Sequence, residues 1–377
     1  MNTFQKKVHS HIKIIYQNIL SEEEIKSISS QVYEITPQVK NGDGSENWNE
    51  NDIFLISYGD SIVSAKDKKL KILNKFFNIF IKPYFNNIHI LPFFPFSSDD
   101  GFSIIDYEKI RDDLGSWEDI NLLSKDYRLM ADIVINHSSK QSKYFEEFLK
   151  GDYEYKDFFI SLDKNEGFEE VVRPRSSDLF QEVDIGNKKK YLWCTFSHDQ
   201  IDLNFKNPRV LLFFIKLIYL YLKHGIKVFR LDAVAFLWKE KDTNCLNLPQ
   251  THEVVKLIRT LLDNYSQNTL LITETNLPNL ENLSYFGNGD EANAIYNFTL
   301  PPLLLWTLLM GDSTALRKWS MSMPPAKEHT TYFNFIASHD GIGLRPTEKI
   351  LTDQERGTLV DIVKEFGGVI SNRKKPD

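Results

Sequence analysis

Four short apolar segments of the sequence each end in polar side chains of the kinds that carry out acid–base and nucleophilic chemistry. In chain order these side chains are Asp132, Asn136 and His137; Arg230 and Asp232; Glu274; and His339 and Asp340. Each apolar segment has the length and the β-branched content of a buried strand. Parallel strands end at one edge of their sheet, so we expect these side chains to share a site.

Arg230 and Asp232 are two positions apart, and a strand would therefore place both on the same face. A guanidinium beside a carboxylate lowers the pKa of that carboxylate and keeps it ionised, which suits a nucleophile. Glu274 would follow a neighbouring strand, about 5 Å from Asp232, which is the separation of the two carboxyl groups in retaining glycosidases. A purely structural ion pair between Arg230 and Asp232 inside a barrel is an equal alternative on these residues alone.

Short β-branched or aromatic runs alternate along the chain with longer stretches of helical periodicity. The predicted strands cover residues 53–57, 88–91, 129–135, 227–231, 270–273, 294–298 and 332–337. The predicted helices cover residues 68–81, 208–224, 251–265, 303–310 and 353–366. This alternation is typical of βαβ units with a parallel sheet.

The nearly continuous apolar strands favour an α/β fold of the (β/α)8 TIM-barrel class over an open doubly wound sheet. A nucleotide-binding doubly wound fold would carry GxGxxG or GxxxxGK[ST], and the sequence contains neither motif. Residues 138–207, after the third strand, are too long for an ordinary loop and predict an inserted subdomain. The insertion follows the carboxyl end of a strand, where barrel enzymes have their active sites.

The predicted domain organisation follows from these elements. It comprises an N-terminal helical segment at residues 1–50, the first part of the barrel at 51–137, the inserted subdomain B at 138–207, the second part of the barrel at 208–346, and the start of the loop after strand seven at 347–377. The first segment places Val8, Ile12, Ile15 and Ile19 at helical spacing and lacks the features of a secretory signal. The sequence shows neither an eighth strand nor a C-terminal β-domain, so we expect a truncated barrel.

The composition argues against nucleic acid and membrane as partners. Asp and Glu outnumber Lys and Arg by 52 to 45, which gives a net charge of −7, and Lys188–Lys190 is the only short basic run that stands out. The apolar stretches are shorter than the roughly 20 residues of a membrane-spanning helix. Cys194 and Cys245 have no metal-binding spacing, and we expect them to be reduced in a soluble, cytoplasmic protein.

A set of motifs extends from about residue 51 to the end of the chain. They are LISYGDSI (55–62), ILPFFPFSSDDGFSIIDY (90–107), LGSWEDI (114–120), ADIVINHSS (131–139), RPR (173–175), TFSHDQIDLNF (195–205), FRLDAVAF (229–236), LPQTHEV (248–254), ITETN (272–276), YNFTLPPLLL (296–305) and SHDGIGLRP (338–346). These motifs resemble glycoside hydrolase family 13, the α-amylase clan, and within it the sucrose phosphorylase and glucosylglycerate phosphorylase subfamily. Each motif alone is a weak signal, whereas the whole set in this order is specific.

The resemblance implies a role for each polar side chain of the site. Asp232 matches the nucleophile that forms a β-glucosyl-enzyme, Glu274 the general acid/base, and Asp340 the stabiliser of the transition state. The implied substrate-binding residues are Arg230, His137 and His339 in the glucose subsite, Asp99 and Phe102 closing the glucose pocket, Gln200 and Phe236 on the acceptor side, and Arg175 for phosphate or acceptor, with Arg345 as our second candidate for phosphate.

The implied reaction is a phosphorolysis with retention, in which an α-glucoside and phosphate give α-D-glucose 1-phosphate and the free acceptor. This hexosyl transfer needs inorganic phosphate as a co-substrate but no cofactor and no metal, and a homodimer is compatible with it. The segments SSDDGF (97–102) and GLRP (343–346) resemble the branch that acts on glucosylglycerate or glucosylglycerol. Tyr107 stands where typical sucrose phosphorylases have His, so the acceptor stays open.

Three other interpretations remain. The same site could serve an α-glucoside hydrolase or transglucosylase; Asp132, His137, Glu274 and His339 could bind a metal in a barrel lyase; and a truncated barrel could be inactive. We interpret Asn136 as structural rather than as a calcium ligand, and His89 as a core histidine with a satisfied ring.

Overall fold

The computed structural model describes residues 2–37, 48–186, 188–266 and 268–371. These residues group into two compact units, Met1–Leu271 and Ile272–Asp377. Within the described ranges, no helix has both the length and the apolar character needed to cross a membrane.

Each of the two units contains parallel strands. Short antiparallel strands lie between residues 137 and 202. In chain order the strands are β1 (Phe54–Ser57), β2 (Asn87–Ile90), β3 (Arg128–Val134), β4 (His137–Ser139), β5 (Ser161–Leu162), β6 (Phe180–Ile185), β7 (Lys188–Trp193), β8 (Gln200–Asp202), β9 (Ile226–Asp232), β10 (Leu270–Thr273), β11 (Ala294–Tyr296) and β12 (Thr331–Phe333).

At least one helix follows most of the parallel strands along the chain. The α-helices are α1 (Thr3–Tyr16), α2 (Glu22–Ile35), α3 (Lys69–Phe76), α4 (Trp117–Asp126), α5 (Lys143–Lys150), α6 (Pro208–Lys223), α7 (Pro249–Tyr265), α8 (Asn279–Ser284), α9 (Leu300–Met310), α10 (Thr314–Ser322) and α11 (Asp353–Glu365). A π-helical turn, Phe77–Ile81, continues α3, and 3-10 turns cover Asp99–Gly101, Val234–Phe236 and Arg345–Thr347.

The parallel sheet of the first unit contains β1, β2, β3 and β9 in that spatial order. Every residue of β3 after Arg128 is buried, as expected for a strand that is covered on both faces. The register pairs Asp132 with Arg230 and Val134 with Asp232. The polar side chains of β3 and β9 therefore stand at matching levels on neighbouring strands.

Helix α6 shows how local sequence sets the frame of this unit. It begins with Pro208 at a position where no N–H is needed, and the side chain of Asn207 accepts a hydrogen bond from the Arg209 backbone N–H. Most of its side chains are buried, which explains why its sequence is apolar almost all round.

Helix α1 packs against α7 and α2. The ring of His11 lies 2.6 Å from Glu253 and 3.0 Å from the Thr260 hydroxyl on α7. Val8, Ile12 and Ile15 are buried, in agreement with the predicted amphipathic helix. Ile19 departs from the pattern, because the helix ends at Tyr16 and Ile19 is 44% exposed.

Between β3 and α6 the chain forms two antiparallel sheets and helix α5. One sheet has the order β5-β7-β6, and the other pairs β4 with β8 so that His137 lies opposite Asp202. Cys194 follows β7 and Cys245 lies in the segment before α7; both are buried free thiols. The expectation that they are unpaired agrees with this structure.

Ile272 and Thr273, the part of β10 that lies in the second unit, pair in parallel with β11, and β11 pairs in parallel with β12. Leu303, Trp306, Trp319, Leu351 and Leu359, from α9 to α11, form the core of its helical part. Helix α11 is capped at Thr352, whose hydroxyl accepts from the Glu355 N–H while the Glu355 carboxylate accepts from the Thr352 N–H.

All of the predicted strands form, and the largest difference is at the last one. Residues 332–337 were predicted as a strand, but β12 ends at Phe333. Its partner β11 ends at Tyr296 because helix α9 begins at Leu300, so the ladder has no further partner in β11. Helix α9 starts before the predicted residue 303 since Pro301 and Pro302 fit the first turn of a helix.

The predicted helix over residues 68–81 is also different, because it is α-helical only to Phe76 and then continues as a π-helical turn. Residues 38–47 of the predicted segment 1–50, and residues 372–377 of the predicted segment 347–377, lie outside the described residues. The domain boundaries, the missing eighth strand and the missing C-terminal β-domain stay predictions.

Candidate active site

Arg230 lies between two carboxylates at the carboxyl ends of β3 and β9. Its Nη1 donates to Asp132 Oδ1 at 2.5 Å and to Asp232 Oδ1 at 2.8 Å. The side chains of Asp132 and Arg230 are almost fully buried, whereas that of Asp232 keeps 11% of its surface exposed. The predicted pairing of Arg230 with Asp232 on one strand face is therefore confirmed. Of the two carboxylates, Asp232 is the more accessible to an incoming molecule.

Asp132 is held by a second partner on its other side. His89 on β2 places Nε2 2.8 Å from Asp132 Oδ2, and both side chains are buried. Burial alone would raise the pKa of Asp132, but the charges and hydrogen bonds of His89 and Arg230 hold that pKa far below its usual range. The sequence interpretation of His89 as a core histidine with a satisfied ring fits these contacts. The ring is also the first member of a series of hydrogen bonds that runs through Asp132 and Arg230 to Asp232.

Phe102 supplies an aromatic face beside Arg230. The Arg230 guanidinium carbon lies 5.6 Å from the centre of the Phe102 ring. The backbone oxygen of Phe102 lies 3.1 Å from His137 Nε2. Burial lowers the pKa of His137, so the imidazole is neutral at pH 7.

Gln200 connects His137 to the loop after β2. Its Nε2 donates to Asp99 Oδ2 at 2.8 Å and lies 3.0 Å from His137 Nε2. On its other oxygen, Asp99 lies 3.9 Å from Arg175 Nη2, and both of these side chains are largely exposed. The structure thus places four predicted substrate-binding residues, Asp99, His137, Gln200 and Arg175, in one connected group.

Phe236 approaches the same group through a second aromatic ring. Phe196 packs edge-on against Phe236 with ring centres 5.6 Å apart, and its ring centre lies 5.0 Å from that of His137. The turn that carries Phe236 begins at Ala233, whose φ of 52° bends the chain immediately after Asp232. The apolar side of the site is therefore built from rings of the insertion and of the segment after β9.

Sequence reasoning missed a buried ammonium group behind His137. Lys239 Nζ lies 2.6 Å from Asp202 Oδ2 and 2.6 Å from Asn136 Oδ1. Asp202 also accepts from the Thr195 backbone N–H and hydroxyl and from Asn136 Nδ2. The available signal was a lysine seven positions after Asp232, beyond an apolar segment, but no spacing rule pairs Lys239 with Asp202 or with Asn136, which is 103 positions away along the chain.

These contacts bear on the metal-dependent alternative. Both oxygens of Asp132 are occupied by His89 and Arg230, and Asn136 is engaged by Lys239 and Asp202. Within the part of the chain that the structure describes, no group of three or more His, Cys, Asp or Glu side chains could hold a metal ion. Asp132, one of the four residues of the alternative metal-ligand set, is therefore engaged by the protein's own side chains.

In the second unit, only Glu274 of the remaining predicted residues lies at a strand end. The prediction that His339 and Asp340 end the last strand is wrong, because β12 ends at Phe333 and both residues lie in the segment after it. Glu274 directly follows β10. His339 and Asp340 follow β12, with His339 Nε2 3.4 Å from Asp340 Oδ2; the His339 side chain is mostly buried, and that of Asp340 is 62% exposed. Arg345 begins a 3-10 turn. The separation of about 5 Å between Asp232 and Glu274 stays a prediction.

Comparison with known proteins gives the family. Residues 82–341 match the family profile "Alpha amylase, catalytic domain". The chain is 44% identical over 325 residues to the glucosylglycerate phosphorylase of Spirochaeta thermophila, covering 86% of this chain and 55% of that protein. It is 41% identical over 334 residues to the glucosylglycerate phosphorylase of Escherichia coli, covering 88% and 60%. To the sucrose phosphorylase of Streptococcus mutans it is 33% identical over 321 residues, covering 81% and 63%.

A solved structure of a phosphorylase is also similar to this chain. The sucrose 6F-phosphate phosphorylase from Thermoanaerobacter thermosaccharolyticum superposes with a TM-score of 0.76 at 27% identity, covering 86% of this chain and 67% of that one. The chain spans little more than half the length of the first curated relatives it matches. The predicted α/β barrel fold class is confirmed by these matches, as is the predicted resemblance. The chain belongs to the α-amylase family, whose catalytic-domain profile matches residues 82–341.

Proposed function

We propose that this chain carries the active site of a retaining glucoside phosphorylase. The reaction would convert an α-glucoside and phosphate into α-D-glucose 1-phosphate and the acceptor alcohol. The observation that carries the proposal is Asp232, a partly accessible carboxylate fixed by the buried Arg230 at the end of β9. It is supported by relatives that are themselves named as phosphorylases.

The proposed chemistry is a double displacement at the anomeric carbon. In the first step, a carboxylate oxygen of Asp232 bonds to that carbon, the bond to the acceptor oxygen breaks, and Glu274 gives its proton to the leaving oxygen. In the second step, a phosphate oxygen attacks, the ester bond to Asp232 breaks, and Glu274 takes the phosphate proton. Asp340 would bind the sugar hydroxyls and stabilise the positive charge of the transition state.

The glucose pocket would be formed by the connected group described above. Phe102 offers an apolar face for the ring, while Asp99 and His137 offer polar groups for its hydroxyls. His339 would complete the subsite, and Gln200 and Phe236 would line the acceptor side. A pocket closed by Asp99 would accept a single terminal glucose and exclude a polymer.

Phosphate requires positive charge in a protein whose net charge is −7. Arg175 is the best candidate, because its exposed guanidinium lies near Asp99 at a distance too long for a strong ion pair. A guanidinium can bind two phosphate oxygens at once. Arg345 is the second candidate.

The acceptor that we propose is glycerate. The relatives at 44% and 41% identity are glucosylglycerate phosphorylases, whereas the sucrose phosphorylase of Streptococcus mutans is 33% identical and the glucosylglycerol phosphorylase of Marinobacter adhaerens 30%. We further propose that the enzyme needs no cofactor besides phosphate. Its buried free thiols, Cys194 and Cys245, suit the reducing cytoplasm.

A substrate screen tests this proposal. The chain is incubated with glucosylglycerate, glucosylglycerol, sucrose or sucrose 6-phosphate, with and without phosphate, and α-glucose 1-phosphate and free glucose are measured. We expect glucose 1-phosphate that depends on added phosphate, fastest from glucosylglycerate. Asp232→Asn should abolish turnover without changing the circular dichroism spectrum, whereas exposed Asp184→Asn should not affect turnover. Glucose release that is independent of phosphate would identify a hydrolase instead.

A further inference from the structure

The loop after β2 has a strained turn at the position of Asp99. Asp99, Asp100 and Gly101 follow one another with φ values of 55°, 49° and 111°, all in the left-handed region. Two of these residues have side chains, for which that conformation is unfavourable. Such a turn persists only when its surroundings fix it.

The two arms of this turn form a small antiparallel hairpin. Phe96 bridges to Ile104, and the Ser97 backbone N–H donates to the Ser103 oxygen at 3.0 Å. Ser97 and Ser98 lie on the incoming arm and Ser103 on the outgoing arm. The serine pair therefore stands immediately before the strained residues.

Asp199, far along the chain on the insertion, binds both arms. Its Oδ2 lies 2.5 Å from the Ser97 hydroxyl, 2.5 Å from the Ser98 hydroxyl and 2.8 Å from the Ser103 hydroxyl. Its backbone oxygen also accepts from the Lys140 N–H at 2.8 Å. Burial alone would raise the pKa of Asp199, but these hydroxyls lower it overall, so the carboxylate is ionised at neutral pH.

We propose that Asp199 is a positioning residue that acts through Asp99. By binding serines on both arms, its carboxylate fixes the turn between them and thereby aims Asp99 at Gln200 and Arg175. This inference rests on the proposed function, in which Asp99 contacts glucose. It also accounts for the serine pair of the SSDDGF segment, whose hydroxyls are the donors that the carboxylate requires.

A double-mutant cycle tests the inference. The variants are Asp199→Asn, Asp99→Ala and their combination, with Asp184→Asn as an exposed control of the same charge change. For each, we would measure KM and kcat with glucosylglycerate and phosphate, and the Kd of glucose by titration calorimetry. Hydrogen exchange at the Phe102 and Ser103 amides would report the turn itself.

We expect Asp199→Asn to raise KM and the glucose Kd about tenfold with kcat nearly unchanged, since ground-state binding is lost. When Asp99 is already Ala, Asp199→Asn should change KM and the glucose Kd less than about twofold, because Asp199 is proposed to act only by positioning Asp99. Hydrogen exchange at Phe102 and Ser103 should accelerate only in variants that lack Asp199.

Equal effects in both backgrounds would make Asp199 a general structural residue and overturn the inference, as would unchanged binding in Asp199→Asn. A chain that turns over no donor but binds glucose refutes the proposed function alone, and the glucose Kd cycle then still decides the role of Asp199. A chain that binds no glucose overturns both.

Discussion

Lys239→Met removes the buried ammonium group behind His137 and keeps the length of an unbranched side chain. The side chains of Lys239 and Asp202 are 5% and 0% exposed, so the Asp202 charge would lose its cation without gaining water. Breaking a buried ion pair in this way costs about 3–5 kcal/mol. Asp202 keeps hydrogen bonds from Thr195 and Asn136, and we therefore expect the lower end, about 3 kcal/mol.

The second half of this prediction concerns the pair. Adding Asp202→Asn to Lys239→Met removes the unpaired charge, so the double variant should be more stable than Lys239→Met by about 1–2 kcal/mol. In the wild-type background Asp202→Asn should instead destabilise, because it leaves the Lys239 charge unpaired. Lys241→Met, at an exposed position two residues on, serves as the control and should stay within about 0.5 kcal/mol of wild type.

Urea titrations followed by tryptophan fluorescence give the free energies of unfolding for the four variants and wild type. Circular dichroism before each titration confirms that the variants start folded. The reasoning fails if Lys239→Met unfolds within about 0.5 kcal/mol of wild type, or if the two substitutions add without coupling.

Three further predictions concern the proposed site. Glu274→Gln should lose roughly 10²–10⁴-fold in kcat with glucosylglycerate but far less with an aryl glucoside whose leaving group needs no proton, and equal losses would assign Glu274 another role. Arg175→Ala should raise the KM for phosphate and shift the product from glucose 1-phosphate toward glucose; a parallel loss of both products would make Arg175 a structural anchor. Burial lowers the pKa of His137 in the folded chain, so the unfolded chain binds the extra proton more readily and stability should fall as the pH drops below about 6.5. His137→Gln should flatten this dependence in urea midpoints measured at pH 7.5 and 5.5, and an unchanged slope would contradict the assignment.

The features that could be predicted from the sequence are those that depend on residues close to one another along the chain. Buried strands are apolar over consecutive residues, so β3 and β9 were predicted to within one residue. The pairing of Arg230 with Asp232 follows from the two-residue repeat of a strand. The identity of the polar side chains at the strand ends then followed from resemblance to a family.

What could not be predicted depends on residues that are distant in sequence. Lys239 meets Asn136, and Asp199 meets Ser97, across about a hundred positions, and nothing local in either segment identifies the partner. The end of β12 is likewise set by where its partner strand ends. Such features are decided by packing, which a single sequence does not display.

The two buried free thiols allow local unfolding of this protein to be measured by thiol labelling. Burial raises the pKa of Cys194 to about 12, so in the closed state this side chain has almost no thiolate to react with an alkylating reagent. Labelling of Cys194 therefore requires local unfolding at the end of β7. At saturating reagent, the labelling rate would equal the rate of that local unfolding. Cys245, in the segment after β9, would count a different opening in the same sample by mass spectrometry.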